Sequence, residues 1–267
     1  MALNKIFTFL LLNKRQKLVT TVIFLSLFLF LSEFFTGSQF IFFAIALSIL
    51  TNIFLYLILR EDIKNTFYYP IFILPFLYTL AFSLFYSLIP ARILTRLILT
   101  GVYGFGLYSL FLTQNIFAVS GIRTINLQRS ARIVSFVVTI VALFFLINIS
   151  FSLRLPIYIL PLLIFTVSFF LNFQSLWAYT LDTQLLGEIT ISSILISFCV
   201  AELSLILIVW PVNAAIYSIF LTGICYTYIG LSHAWIEKRL FKGILWEYVW
   251  VGFLSVLILL IFSKWGI

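Results

Sequence analysis

Glu202 is the side chain whose placement points most directly to chemistry. It lies in the run FCVAELSLILIVW, near the middle of a long apolar stretch. A carboxylate in hydrocarbon is costly, so its presence in a span is a functional hypothesis by default. Val200, Ala201, Leu203 and Leu205 offer it no local charge partner. The expectation is that Glu202 faces the interior of a bundle and meets Asn, Gln, Tyr or a water-lined cavity. In a transport reading it is the protonation or ion site. Asn148 and Asn172 add polarity inside two other apolar runs. Their ordinary role is hydrogen bonding between helices.

His233 is the only histidine, in GLSHAWIEKR. It suits a general base at the membrane interface, or an anchor beside Trp235. Cys199 and Cys225 fall inside apolar runs, with no C-x-x-C between them. Together with His233 they lack zinc-ligand spacing, so they read as small hydrophobes, and no metal or other cofactor is expected. Several membrane enzymes are excluded by count. The only aspartates, Asp62 and Asp182, lie outside the apolar runs, which removes aspartyl intramembrane proteolysis. No H-E-x-x-H and no G-x-S-x-G is present.

The elements that must carry these residues follow from composition. The chain is 64% hydrophobic and 9% charged. Soluble domains hold about 45–50% apolar and about 25% charged residues. The net charge of +8 does not indicate nucleic acid, because the cations flank apolar runs as orientation signals do. No polar interval is long enough for a soluble domain, so one polytopic membrane domain over 1–267 is expected, with a basic segment at 1–17.

A spanning helix needs about 20 apolar residues. Nine stretches qualify: 18–36, 40–59, 67–89, 93–113, 133–153, 155–177, 189–210, 212–232 and 244–262. Barrel strands would alternate polarity in runs of about ten, and these runs are continuous, so a bundle of about nine helices is expected. The longest polar interval, Gln114 to Arg132, carries Arg123, Arg129 and Arg132 and no acid. It reads as a cytoplasmic loop, and anionic lipid head groups are the partner those arginines would meet. With the N-terminus inside, 12 of the 16 Lys and Arg residues fall on the inner side and Arg92, Arg96, Arg154 and Lys264 on the outer. That bias supports nine spans in the cell membrane with the C-terminus outside.

Segment three begins Pro70-Ile-Phe-Ile-Leu-Pro75-Phe-Leu and segment six Pro156-Ile-Tyr-Ile-Leu-Pro161-Leu-Leu. The echo raises an inverted repeat of segments one to three and four to six, a design that marks substrate pathways in transporters. Pro75 and Pro161 should each bend their helix. Gly101, Gly104 and Gly106 should allow close helix packing. Three functions compete. A small permease uses Glu202, Pro75, Pro161, Asn148 and Asn172. A non-catalytic subunit of a membrane complex explains the low polarity of the spans. An enzyme acting on a lipid or lipid-linked substrate would work at the inner face near His233 and Arg123 to Arg132. A polar cavity at Glu202 favours the first, a flat apolar face the second, and a cleft near His233 the third.

Overall fold

The computed structural model describes residues 13–32, 39–63, 69–89, 92–120, 127–181 and 186–263. These residues form nine α-helices, with no strand among them. They are α1 Lys14–Leu31, α2 Gln39–Leu59, α3 Ile73–Leu88, α4 Ile93–Ser120, α5 Gln128–Ser152, α6 Ile159–Thr180, α7 Leu186–Leu207, α8 Ala214–Ile236 and α9 Lys242–Phe262. In hydrocarbon a helix satisfies its own backbone polar groups, so long apolar runs resolve this way.

Eight of the nine helices are long and apolar enough to cross a membrane. The exception is α1. It starts at Lys14, earlier than the expected span, and its first turn holds Lys14, Arg15 and Lys17. The apolar remainder from Leu18 to Leu31 rises roughly 21 Å at 1.5 Å per residue. A hydrocarbon core is about 30 Å thick. The end of the expected first span, 33–36, lies outside the described residues.

Other helix ends also depart from the apolar boundaries. α4 continues to Ser120 and α5 begins at Gln128, so most of the interval from Gln114 to Arg132 is helical and not loop. Backbone hydrogen bonding continues after apolarity stops. α6 begins only at Ile159, after Pro156, whose carbonyl accepts from the Ile159 and Leu160 N–H groups at 2.9 and 3.2 Å. α7 ends at Leu207 because Trp210 precedes Pro211, and a residue before proline avoids helical geometry. α8 opens on Asn213, whose side chain accepts from the Ile216 N–H at 2.9 Å.

Pro75 and Pro161 are each the third residue of their helix. The first four N–H groups of a helix have no intrahelical acceptor, so neither proline removes a bond. The expected bends lose their cause. Each helix follows a turn that contains the earlier proline of its pair, a 3-10 turn over Tyr69–Phe72 and a turn after Pro156.

The chain divides into two compact units, Met1–Val134 and Ser135–Ile267. The division falls within α5, after Val134, so it does not follow the triplets that the proline echo suggests. In the first unit α2 packs on α3, α1 on α4, α3 on α4 and α1 on α2, a ring of four helices. Its centre is Tyr78, whose hydroxyl donates to the Tyr103 carbonyl at 3.2 Å while its ring stacks on the Tyr103 ring at 5.7 Å. The Thr79 hydroxyl donates to Thr51 Oγ1 at 3.2 Å and lies 3.3 Å from the Tyr103 hydroxyl. Two of the three helix-four glycines do allow close approach. A Cβ at Gly104 would sit 2.7 Å from Ser26 Oγ, and one at Gly106 2.0 Å from the Tyr78 hydroxyl. Gly101 faces open space. Lys14 and Asp62 form an ion pair that ties the start of α1 to the turn after α2.

In the second unit α6 packs along α7, α8 along α9, and α7 and α6 both against α8. α5 joins through side chains, with the Asn148 amide donating to Ser218 at 3.1 Å and the Phe136 ring 5.2 Å from that of Tyr226. The α8–α9 seam is made of small residues. Gly223 faces Ser255, Gly230 faces the Tyr248 ring, and Gly252 faces Thr227. Small residues let helix backbones approach where no hydrophobic force drives association in lipid.

Candidate functional site

The cleft that best fits a ligand lies in the second unit, where α6 ends, α7 begins and α8 ends. It has a volume of about 320 Å³. Leu176 and Thr180 come from α6, Glu188, Ile189 and Ser192 from α7, and Ser232, Trp235, Ile236 and Lys238 from the end of α8 and the turn after it.

Local backbone chemistry sets this geometry. α6 stops at Leu181, which adopts the left-handed region at φ 51° and donates its N–H to the Trp177 carbonyl at 2.8 Å. α8 stops in a Schellman turn. The Lys238 N–H donates to the Trp235 carbonyl and the Arg239 N–H to the Ala234 carbonyl, both at 2.9 Å. Lys238 therefore takes the position that glycine usually fills, at φ 55°. The turn aims the chain away from α8 and leaves the Lys238 side chain on the cleft wall. Left-handed geometry costs a non-glycine residue roughly 1–2 kcal/mol. Replacing Leu181 or Lys238 by Gly should therefore raise stability by up to about 1 kcal/mol, after the greater chain entropy of glycine is subtracted. Denaturation midpoints in mixed micelles measure this. A lower midpoint for both variants would contradict the turn geometry.

Hydroxyls and charges line the cleft together with apolar side chains. Thr180 and Ser232 donate within their own helices, to the Trp177 and Tyr228 carbonyls at 3.2 and 2.8 Å, and keep oxygen lone pairs for a ligand. Glu188 and Lys238 form no ion pair among the described residues. Trp235 is 65% exposed, with an apolar body and a polar N–H suited to the interface of a bilayer.

The residues singled out from sequence do not converge here. Glu202 is exposed and has no hydrogen-bond partner among the described residues, so the expectation that it faces an interior or a polar cavity is overturned. The reason is the opposite stripe of α7. Ser193, Ser197, Ala201 and Ser204 are small and buried, and they turn inward in a membrane bundle. Phe198, Leu205 and Ile206, on the side of Glu202, are left outside. Asn172 is fully buried. Its amide donates to Ser197 at 2.9 Å and its carbonyl accepts from the Cys225 thiol at 3.3 Å, which makes it a joint between α6, α7 and α8. Asn148 has the same role toward Ser218. Pro75 and Pro161 stand at helix starts. Arg129 is exposed and Arg132 half-buried in the first two turns of α5, while Arg123 lies outside the described residues.

His233, in the last turn of α8, is buried among side chains and not exposed beside Trp235. Its ring stacks on Tyr179 at 3.6 Å and meets Phe136 edge-on at 5.2 Å. Its Nε2 lies 3.2 Å from Ser175 Oγ, a pairing that the sequence did not announce. The pair does not have the setting of a hydrolase. Ser175 is 2% and His233 3% exposed, and Ser175 sits within α6, where the backbone N–H groups are committed to the helix. It joins α6 to α8 behind the cleft wall.

The sequence analysis passed over Glu188, Ser192, Ser232 and Lys238. One signal was available. Ser232, Trp235 and Lys238 stand in the same short segment as His233, spaced three apart on a helix end. A second groove, of about 390 Å³, lies in the first unit along Ile49, Asn52, Ile53, Tyr56, Phe72 and Phe76. It is open and nearly all apolar, as a lipid-facing groove between helices is.

Nine helices among the described residues, eight of them long and apolar enough to span, define a multi-pass integral membrane protein. The chain belongs to the family described as protein of unknown function (DUF5656), whose profile matches residues 20–262. No curated protein and no solved structure matches the chain.

Proposed function

We propose that this protein sits in the cell membrane and holds the polar head of a lipid or lipid-linked molecule in the cleft at the ends of α6, α7 and α8. The carrying observation is the cleft itself, which is lined by hydroxyls and charges together with apolar Leu176, Ile189 and Ile236. The charge bias of the sequence supports the cytoplasmic leaflet for these helix ends. A volume of about 320 Å³ is at the small end for ligand sites, which run from about 300 to 1,000 Å³. It suits a head group whose chains lie outside, along exposed Ile191 and Leu195 of α7. No reaction is assigned, since the Ser175–His233 pair is out of reach. The permease reading loses its main support with Glu202 facing outward.

The test is photo-crosslinking. The full chain is reconstituted in vesicles that contain a phospholipid with a photoactivatable group near its head. Adducts concentrated in the peptides around 186–192 and 232–238 are the expected result. Adducts spread evenly over the exposed helix faces would overturn the proposal.

A further inference from the structure

The cleft carries one negative and one positive side chain, Glu188 and Lys238, and neither is engaged by an ion pair among the described residues. Two opposite charges on one wall usually neutralise each other, at little gain when exposed. Here they are held on different elements. Glu188 is fixed in the first turn of α7, and Lys238 is fixed by the Schellman turn after α8. The neighbouring cation is diverted, because Arg239 lies 3.8 Å from Glu237. Lys238 is also the position where the backbone accepts left-handed strain that glycine would relieve. Strain of that kind persists where the surrounding structure over-determines it, and it clusters at ligand clamps.

Resting on the head-group reading above, we propose that the cleft selects a zwitterionic head, of the phosphate-plus-ammonium class. The ammonium lies against Glu188. The phosphate lies against Lys238, with the Ser192 hydroxyl as a further donor, while the Ser232 oxygen, whose proton goes to the Tyr228 carbonyl, can accept from the ammonium. A purely anionic head satisfies Lys238 and meets Glu188 as a like charge. A neutral sugar head leaves both charges without counter-charge. Selection therefore follows from the pair and not from either residue alone. A water-soluble phosphate ester of an amino alcohol carries the same chemistry as the lipid, so the free head is tested beside it.

The experiment uses the full chain in vesicles of a neutral glycolipid. These carry, in separate samples, photoactivatable phosphatidylethanolamine or photoactivatable phosphatidylglycerol, and crosslinking to the cleft peptides is the readout. The expected result is a wild-type preference of about tenfold for the zwitterion, the scale of one charge-assisted hydrogen bond. Glu188→Gln should remove the preference by weakening the zwitterion alone. Lys238→Met, which keeps the turn without the charge, should weaken both lipids. Equal labelling of the cleft by both lipids overturns the zwitterion inference and leaves the head-group reading standing. Failure of both lipids to label the cleft overturns both readings. Competition by soluble phosphoethanolamine shows that the head alone is recognised. Zwitterion preference without such competition supports the lipid as the ligand. Unchanged preference in Glu188→Gln overturns the assignment.

Discussion

Gly106→Ala should destabilise the first unit by about 2–4 kcal/mol, from overpacking and from displacement of a buried hydroxyl from its acceptor. The added Cβ would stand 2.0 Å from the Tyr78 hydroxyl and 2.9 Å from Cζ of the same ring. The end of a flexible side chain could swing aside, but Tyr78 is 2% exposed and its ring lies between Phe82 and Tyr103. The hydroxyl would have to leave the Tyr103 carbonyl, and α3 would have to move from α4. The check is a double-mutant cycle on thermal or denaturant midpoints in detergent. Tyr78→Phe alone should cost about 0.6 kcal/mol, the mean for an interhelical hydrogen bond in a membrane protein. In the Gly106→Ala background the same change removes the closer of the two conflicting atoms and should restore part of the stability, since Cζ remains 2.9 Å from the added Cβ. Strict additivity of the two changes would show that Gly106 and Tyr78 do not meet.

His233→Ala should be the most damaging single change in the second unit, at about 2–4 kcal/mol, because it leaves a cavity among aromatic rings. The imidazole is sandwiched against Tyr179 and edged by Phe136, and its loss also strips Ser175 of its partner. His233→Phe refills most of the space and should cost only about 1 kcal/mol, for the lost hydrogen bond. Ser175→Ala should cost less than either. This ordering separates a packing role from a polar one. If His233→Phe proves as damaging as His233→Ala, the ring is held for its nitrogens and not for its volume.

The contrast between Glu202 and Asn172 shows where sequence reasoning holds and where it stops. Both are polar residues inside apolar runs, and both were expected to point inward. Asn172 does, and Glu202 does not. Nothing in the local apolar pattern of α7 decides its rotation, since large hydrophobes such as Ile189 and Ile196 are buried while Phe198 and Leu205 are not. The small residues carried the information instead. Ser193, Ser197, Ala201 and Ser204 recur at helical spacing and mark the packed face. In water, hydrophobicity tells inside from outside. In lipid the tails are as apolar as the core, so side-chain size takes over.

The sequence by itself determined the helical class and, among the described residues, the approximate place of each helix. The physical reason is that a membrane leaves the backbone one solution for long apolar runs. The sequence did not determine the division within α5, the contact of Gly106 with Tyr78, or the meeting of Ser175 with His233. Nor did it determine that Glu188, Ser192, Ser232 and Lys238 share a cleft. Those residues come from three helices and a turn, and what brings them together is helix rotation and side-chain fit. Several rotations of an evenly apolar helix satisfy the same hydropathy, and only the close approach of small residues between neighbours selects one of them.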